Sequence, residues 1–248
     1  WPDMAHVDVH ADGIELESPV LVEGLPGVGL VGKIATDHIV ETFDMTYYAS
    51  CRCDGLPDVA VYHEDDPDVV APVRIYADEE RDLLALQSDV PVSPNEAAEF
   101  AACLTGWLAE NDVLPLYLSG LPAEKNGMPN LHGVATGEAS SRLDDHDISP
   151  PSQSGLISGP TGALLAQAEQ FDLDSVGLVV ESNAQFPDPE SARVLITDAI
   201  APLADIDVDT QKLVDQAEEI AEARQQLAQQ MGQTTEESSQ AQPLGMFQ

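Results

Sequence analysis

At 248 residues the chain can bury roughly 70 to 75% of its extended surface in one large domain or two small ones, and its 43% hydrophobic content is that of an ordinary globular protein. Forty-five Asp and Glu against nine Lys and Arg give a formal charge of −36, which leaves no basic patch for a phosphate backbone and excludes DNA or RNA as a partner. No stretch approaches the ~18 apolar residues of a membrane span, the start lacks a basic-then-apolar signal, and the expected location is the cytoplasm.

The acids are scattered rather than gathered in a block, as Asp65, Asp66, Asp78, Glu79, Glu80, Asp144 and Asp145 illustrate. Such a distribution reads as a solvated acidic surface adapted to salt, not as an interaction tail. Cys51, Cys53 and Cys103 form neither a CxxC nor a His-paired metal spacing, so reduced thiols are expected and a structural disulfide framework is not. Trp1 in place of an initiator Met suggests a processed or trimmed start.

Taken in order, Val7–Val9 and Ile14–Leu16 bracket Asp12-Gly13, a turn dipeptide, and predict an opening hairpin. Pro19–Glu23 reads as a buried strand and Ile34–Phe43 as a helix, with Gly27, Gly29 and Gly32 between them. Met45–Cys51 and Asp58–Tyr62 read as strands, and Val69–Tyr76 pairs with Leu83–Ser88 around an acidic turn. Pro94–Asn111 carries a helical apolar stripe with Ser93 or Asn95 as cap. Val113–Leu118 is a buried strand that opens into a long glycine- and proline-containing loop, residues 119–140. Ser154–Gly162 is a second glycine turn leading into a helix to Phe171; Ser175–Glu181 is a strand and Pro189–Leu203 a helix. The order predicts an α/β fold, a three-layer α/β/α sandwich with a mixed sheet.

From Asp209 the pattern changes. Leu213, Ala217, Ile220, Arg224, Leu227 and Met231 alternate at spacings of four and three, a heptad seam. Two to three heptads are short, so the seam is expected to pack on the body or on a sister subunit, with Leu213, Ala217, Ile220 and Leu227 as the oligomer contacts. The remainder is polar until Pro243, Leu244, Met246 and Phe247. The expected divisions are a body over 1–205, a heptad helix over 206–231 and a flexible tail with an apolar tip over 232–248.

Gly27 to Gly32 matches GxGxxG, yet the acid near the required distance, Asp54, falls in a loop, and the later strands do not repeat as βαβ units. Gly27 to Lys33 also matches GxxxxGK, but Ile34 stands where a magnesium-holding Ser or Thr belongs. A tight turn with close helix-to-sheet packing accounts for the glycines more simply. His38, His63, His132 and His146 form no HxxxH or HExxH metal motif, and Ser119-Gly120 and Ser154-Gly155 are not GxSxG elbows. No catalytic residue, metal or cofactor is expected. The alternative is a small-molecule or nucleotide-binding protein or enzyme, with Gly27, Gly29, Gly32, Lys33, Lys125, Asn126, Gly159 and Gly162 lining a pocket between the two glycine turns.

Together, VLVEGLPGVGLVGKIATDHIVE, LSGLPAEKNG, SGLISGPTGALL and VGLVVESNAQFPDPESARVLI resemble the proteasome assembly chaperone family of archaea and actinobacteria, over about residues 14 to 205. The resemblance implies a nucleoside-phosphorylase-like fold without catalytic activity, a homo-oligomer of three to five copies, and proteasome α-subunits as partners. It further implies a C-terminal hydrophobic-Tyr-X tail that enters pockets between adjacent α-subunits; the matching positions here are Met246, Phe247 and Gln248. Phe in the Tyr place keeps the ring and loses the hydroxyl. The scattered acidity, for its part, resembles proteins of extremely halophilic archaea.

Overall fold

A computed structural model describes residues 6–11, 13–62, 64, 67–123 and 127–223. Its centre is an eight-stranded mixed sheet in the order β1-β3-β6-β7-β2-β8-β10-β9. The strands are β1 (His6–Val9), β2 (Val20–Gly24), β3 (Thr46–Arg52), β6 (Val73–Asp78), β7 (Leu83–Ser88), β8 (Leu114–Pro122), β9 (Leu131–Thr136) and β10 (Ser175–Ser182). A separate two-stranded pair, β4 (Val61–Tyr62) and β5 (Val69–Val70), lies within the excursion from β3 to β6. The middle strands β7, β2, β8 and β10 run parallel, and the flanking pairs run antiparallel. Leu83 to Ser88 is buried at every position, as expected of a strand covered on both faces.

Two core clusters define the layers. On one face α1 (Val31–Thr42) and α5 (Pro189–Leu195) pack Ala35, Ile39, Ala192 and Leu195 against Val22, Leu116 and Leu178. On the other, α2 (Ala97–Glu110) and α4 (Gly159–Gln170) pack Phe100, Leu104, Leu108 and Leu164 against Leu21, Leu84, Leu86 and Tyr117. Each large apolar side chain so removed from water contributes about 1.5 to 3 kcal/mol. The expected three-layer α/β/α arrangement is therefore the observed one. A short α3 (Ser140–Asp145) follows β9, α6 (Ala201–Ala204) follows α5 through a π-turn at Ile196–Ile200, and α7 spans 211–223. Pro202 has no N–H to give to the preceding turn, and the wider π-turn before it accommodates the missing bond. Among the described residues no helix is long and apolar enough to cross a membrane.

Several expectations are corrected. The opening hairpin does not form: β1 pairs with β3, Val7 opposite Cys51, and residues 14–16 carry no strand. A four-residue strand gains more by extending a formed sheet than by pairing alone in a two-stranded ribbon. Val69–Tyr76 divides into β5 and β6 because Ala71-Pro72 interrupts it. The loop expected over 119–140 contains β9, whose Gly133 leaves room for Leu143; a Cβ there would lie 2.6 Å from Leu143 Cδ2. Glu96, not Ser93 or Asn95, occupies the N-cap of α2, and no side chain caps that end. Finally, Cys53 and Cys103 are joined in a disulfide with Cα atoms 5.8 Å apart, and Cys51 alone is free. The bridge links positions 50 residues apart, a proximity created by packing α2 against the end of β3 and invisible in local spacing.

Candidate functional site

The site that the glycine signature points to lies where β2 and β8 separate. Their ladder covers Val20↔Leu114, Leu21↔Pro115 and Val22↔Leu116 and then stops, whereas β2 continues beside β7 to Gly24↔Gln87 and β8 beside β10 to Pro122↔Ser182. Such an opening at the carboxyl ends of parallel strands is where an α/β sheet ordinarily receives a ligand. Here a side chain of the chain itself fills it. The fully buried Glu23 carboxyl accepts hydrogen bonds from Leu118 N–H at 2.8 Å, from Leu25 N–H at 3.0 Å and from the Thr161 hydroxyl at 3.3 Å. Burial raises its pKa from 4.5 to about 7, against the lowering effect of those three hydrogen bonds. Thr161 belongs to the start of α4, so one carboxyl joins β2, β8 and both glycine turns.

The first turn lies flat on the strand ends. Gly27 is extended, Val28–Leu30 form a single 3₁₀ turn, and Gly29 takes φ 64°. A Cβ on Gly29 would lie 1.9 Å from Ser182 Oγ at the end of β10, and one on Gly120 of β8 would lie 2.3 Å from the Val28 carbonyl oxygen. The Gly29 carbonyl accepts from Asp188 N–H at 2.9 Å. Asp188 caps α5, accepting from Ser191 N–H, and also accepts from Asn183 N–H at 2.8 Å. Two buried carboxyl groups, Glu23 and Asp188, thus flank the turn.

The other singled-out residues fall as follows. Gly32 packs beneath the turn, where a Cβ would meet the Glu23 carbonyl oxygen and Leu118 Cβ at 3.3 Å. Lys33 faces away from the turn and bridges Asp37 at 3.0 Å and Asp89 at 3.3 Å. Asp89 also receives Arg74, which is almost wholly buried, and Arg74 and Asp37 both bond Gln87, so the network ties α1 to β6 and β7. Burial alone would raise the Asp89 carboxyl, but the bond and charge of Arg74 outweigh it and hold the carboxyl low. Gly159 opens α4, and a Cβ on Gly162 would lie 2.2 Å from the Ile157 carbonyl oxygen. Lys125 and Asn126 lie outside the described residues. Among the described residues no group of three or more His, Cys, Asp or Glu is placed to hold a metal ion.

The heptad helix starts on α1. Leu213 is buried, His38 Nε2 bonds the Asp209 carbonyl at 2.7 Å, and Lys212 bridges Glu41 across a 210 Å³ groove. Ala217 and Ile220 are half-buried on the same helix. Leu227 and the tail residues Met246, Phe247 and Gln248 lie outside the described residues.

A larger cavity of about 950 Å³ lies under the excursion between β3 and β6, lined by His10, Tyr47, Arg52, Leu56 and Val70 among others. Sequence reasoning passed over this region and over Glu23. A lone acid closing the apolar run VLVEG was the available signal for the latter.

The sequence model of the PAC2 family matches residues 21–228. The chain is 28% identical over 225 residues to an uncharacterised protein of Methanocaldococcus jannaschii, covering 88% of each chain. Among solved structures it is similar to Pyrococcus furiosus PbaA, an archaeal homolog of proteasome-assembly chaperone, with a TM-score of 0.76, 23% identity and 94% and 96% of the two chains covered. It is also similar to Pyrococcus furiosus PbaB, an archaeal proteasome activator, with a TM-score of 0.74, 20% identity and 91% and 100% covered. At these identities the structural likeness is one of fold.

Proposed function

This chain belongs to the PAC2 family, and from that membership we propose that it is an ATP-independent proteasome assembly chaperone or core-particle binder acting on proteasome α-subunits in the cytoplasm. The observation that carries the reading is the family match across residues 21–228, joined to a fold shared with a homolog of proteasome-assembly chaperone and with a proteasome activator. The Glu23 carboxyl fills the opening between β2 and β8, which supports a packing role for the glycine turns.

The body supplies the scaffold, α7 and the seam beyond it assemble a homo-oligomer of three to five copies, and Met246, Phe247 and Gln248 dock between adjacent α-subunits. The Phe247 ring stacks in the pocket. One such tail binds weakly. Several on one oligomer gain ~10² to 10⁴ in avidity when they engage together.

The test is capture of purified proteasome α-subunits by the full chain and by a chain ending at Gly245. Strong capture by the first and markedly weaker capture by the second is the expected result; equal capture by both removes the tail from the mechanism.

A further inference from the structure

The excursion between β3 and β6 carries apolar side chains that the body leaves in water. Tyr62 is 81% exposed, Val69 67% and Val59 49%. Tyr62 and Val69 are direct partners across the antiparallel β4–β5 pair, so they share one face of this small hairpin. Val61 and Val70 alternate to the other face, and Val59, Val69 and Val70 all border the cavity beneath.

The hairpin stands off the main sheet, yet its base is anchored. Cys53 is bridged to Cys103 of α2. Gly55 sits against the start of that helix, where a Cβ would lie 2.4 Å from Glu96 Cβ, and Leu56 packs into the core cluster below. At the other end only Ala71 and Pro72 separate β5 from β6. An exposed pair on an anchored base loses little freedom when it binds.

Charge selects the occupant. Asp58 and Glu64 border the exposed pair, Asp68 precedes Val69, and no Lys or Arg occurs between Cys53 and Val73. The same hairpin of a second copy would set Asp58 and Glu64 against their own copies, and like charges facing each other across an interface are unfavourable. The surface fits a different protein, one with an apolar groove rimmed by Lys and Arg.

We propose that Tyr62 and Val69 form a second docking element, independent of the C-terminal tail, that inserts into a basic-rimmed apolar groove on the proteasome partner. The identity of the partner rests on the function proposed above. A contact this small buries far less than the ~1,000 Å² of a stable interface, so it acts together with the tail and with its copies in the oligomer.

The test measures binding of purified proteasome α-subunits to the full chain, to the chain ending at Gly245, to Tyr62→Ser/Val69→Ser and to the combination of both changes. The paired serine variant should bind at least ~10-fold more weakly, and it should abolish what the shortened chain retains. Glu64→Lys, an exposed change, serves as a second variant that leaves packing untouched: it should weaken binding at low salt and lose that difference at high salt. Equal binding by the paired serine variant in a full chain that binds overturns the hairpin and leaves the tail reading standing, and tighter binding by Glu64→Lys overturns the basic rim. Absence of binding by the unaltered chain overturns both proposals together.

Discussion

The Glu23 carboxyl and the Leu118 amide, 95 residues apart in sequence, are joined by a 2.8 Å hydrogen bond at the point where β2 and β8 stop pairing. The side chain takes over from the ladder: Leu118 N–H, left without a β2 carbonyl, is satisfied by a carboxyl oxygen. The same carboxyl reaches Leu25 N–H and the Thr161 hydroxyl, which makes this opening a structural joint between the two halves of the sheet.

A pH dependence with a definite sign follows. Burial raises the folded-state pKa of Glu23 to about 7, above its ordinary 4.5, so the folded state binds this proton more tightly than the unfolded chain does. The contribution to stability is full below pH 4.5 and is lost as pH rises through 7. The phenol of Tyr117, the titratable group facing Glu23, is itself held neutral by burial and by the Glu23 charge. Unfolding by urea at pH 5 and pH 8 should show the parent losing on the order of 3 kcal/mol relative to Glu23→Gln. Because the other carboxylates are common to both proteins, the difference isolates Glu23. A difference that does not change with pH would remove the proton from the joint.

Gly29 and Gly27 share a turn and should answer differently to the same substitution. Gly29→Ala places a methyl 1.9 Å from Ser182 Oγ at φ 64°, and overpacking plus a left-handed backbone should cost about 3 kcal/mol. Gly27→Ala meets nothing within 4 Å and keeps an extended backbone, so stability should stay within about 0.5 kcal/mol. Ser182→Ala in the Gly29→Ala background should recover part of the loss by removing the Oγ. Equal losses at the two glycines in denaturant titrations would contradict the packing account.

What could be read from the residues is what local periodicity encodes. Phe100, Leu104 and Leu108 recur at helical spacing and are buried together in α2, and Leu83–Ser88 is a buried strand as its composition implied. Gly133 hid β9, because its lack of a side chain lowers strand propensity while serving contact with Leu143. The roles of Glu23 and Cys103 depend on partners 95 and 50 residues away, and no spacing rule contains them. Lys33 matched a phosphate-loop position, yet Asp37 and Asp89 claim its ammonium, since its place on α1 turns it toward β7 rather than the turn.

The three cysteines should be distinguishable by alkylation. Burial pushes the Cys51 thiol up to about 12, so the folded, unreduced protein should take no label at neutral pH. Denaturation without reductant should expose Cys51 alone, and denaturation with reductant all three. Removing the bridge by Cys103→Ser should cost about 4 kcal/mol, the chain-entropy value for a loop near this length. Labelling at three positions without reductant would show the bridge to be absent.

Salt should stabilise this protein, and the argument turns on how few of its charges are compensated. Arg74–Asp89 is shielded from solvent on the Arg74 side, with 3% side-chain exposure, so added salt screens it weakly. Pairs such as Arg52–Asp8, with side-chain exposures of 63% and 44%, contribute little at any ionic strength. Against them stands a net charge of −36, whose self-repulsion falls as the Debye length shrinks from ~10 Å at 0.1 M to ~3 Å at 1 M. The melting temperature should therefore rise steeply between about 0.2 and ~2 M KCl. A melting curve that is flat in KCl would mean that the acidic surface carries no repulsive cost and would defeat the salt-adaptation reading.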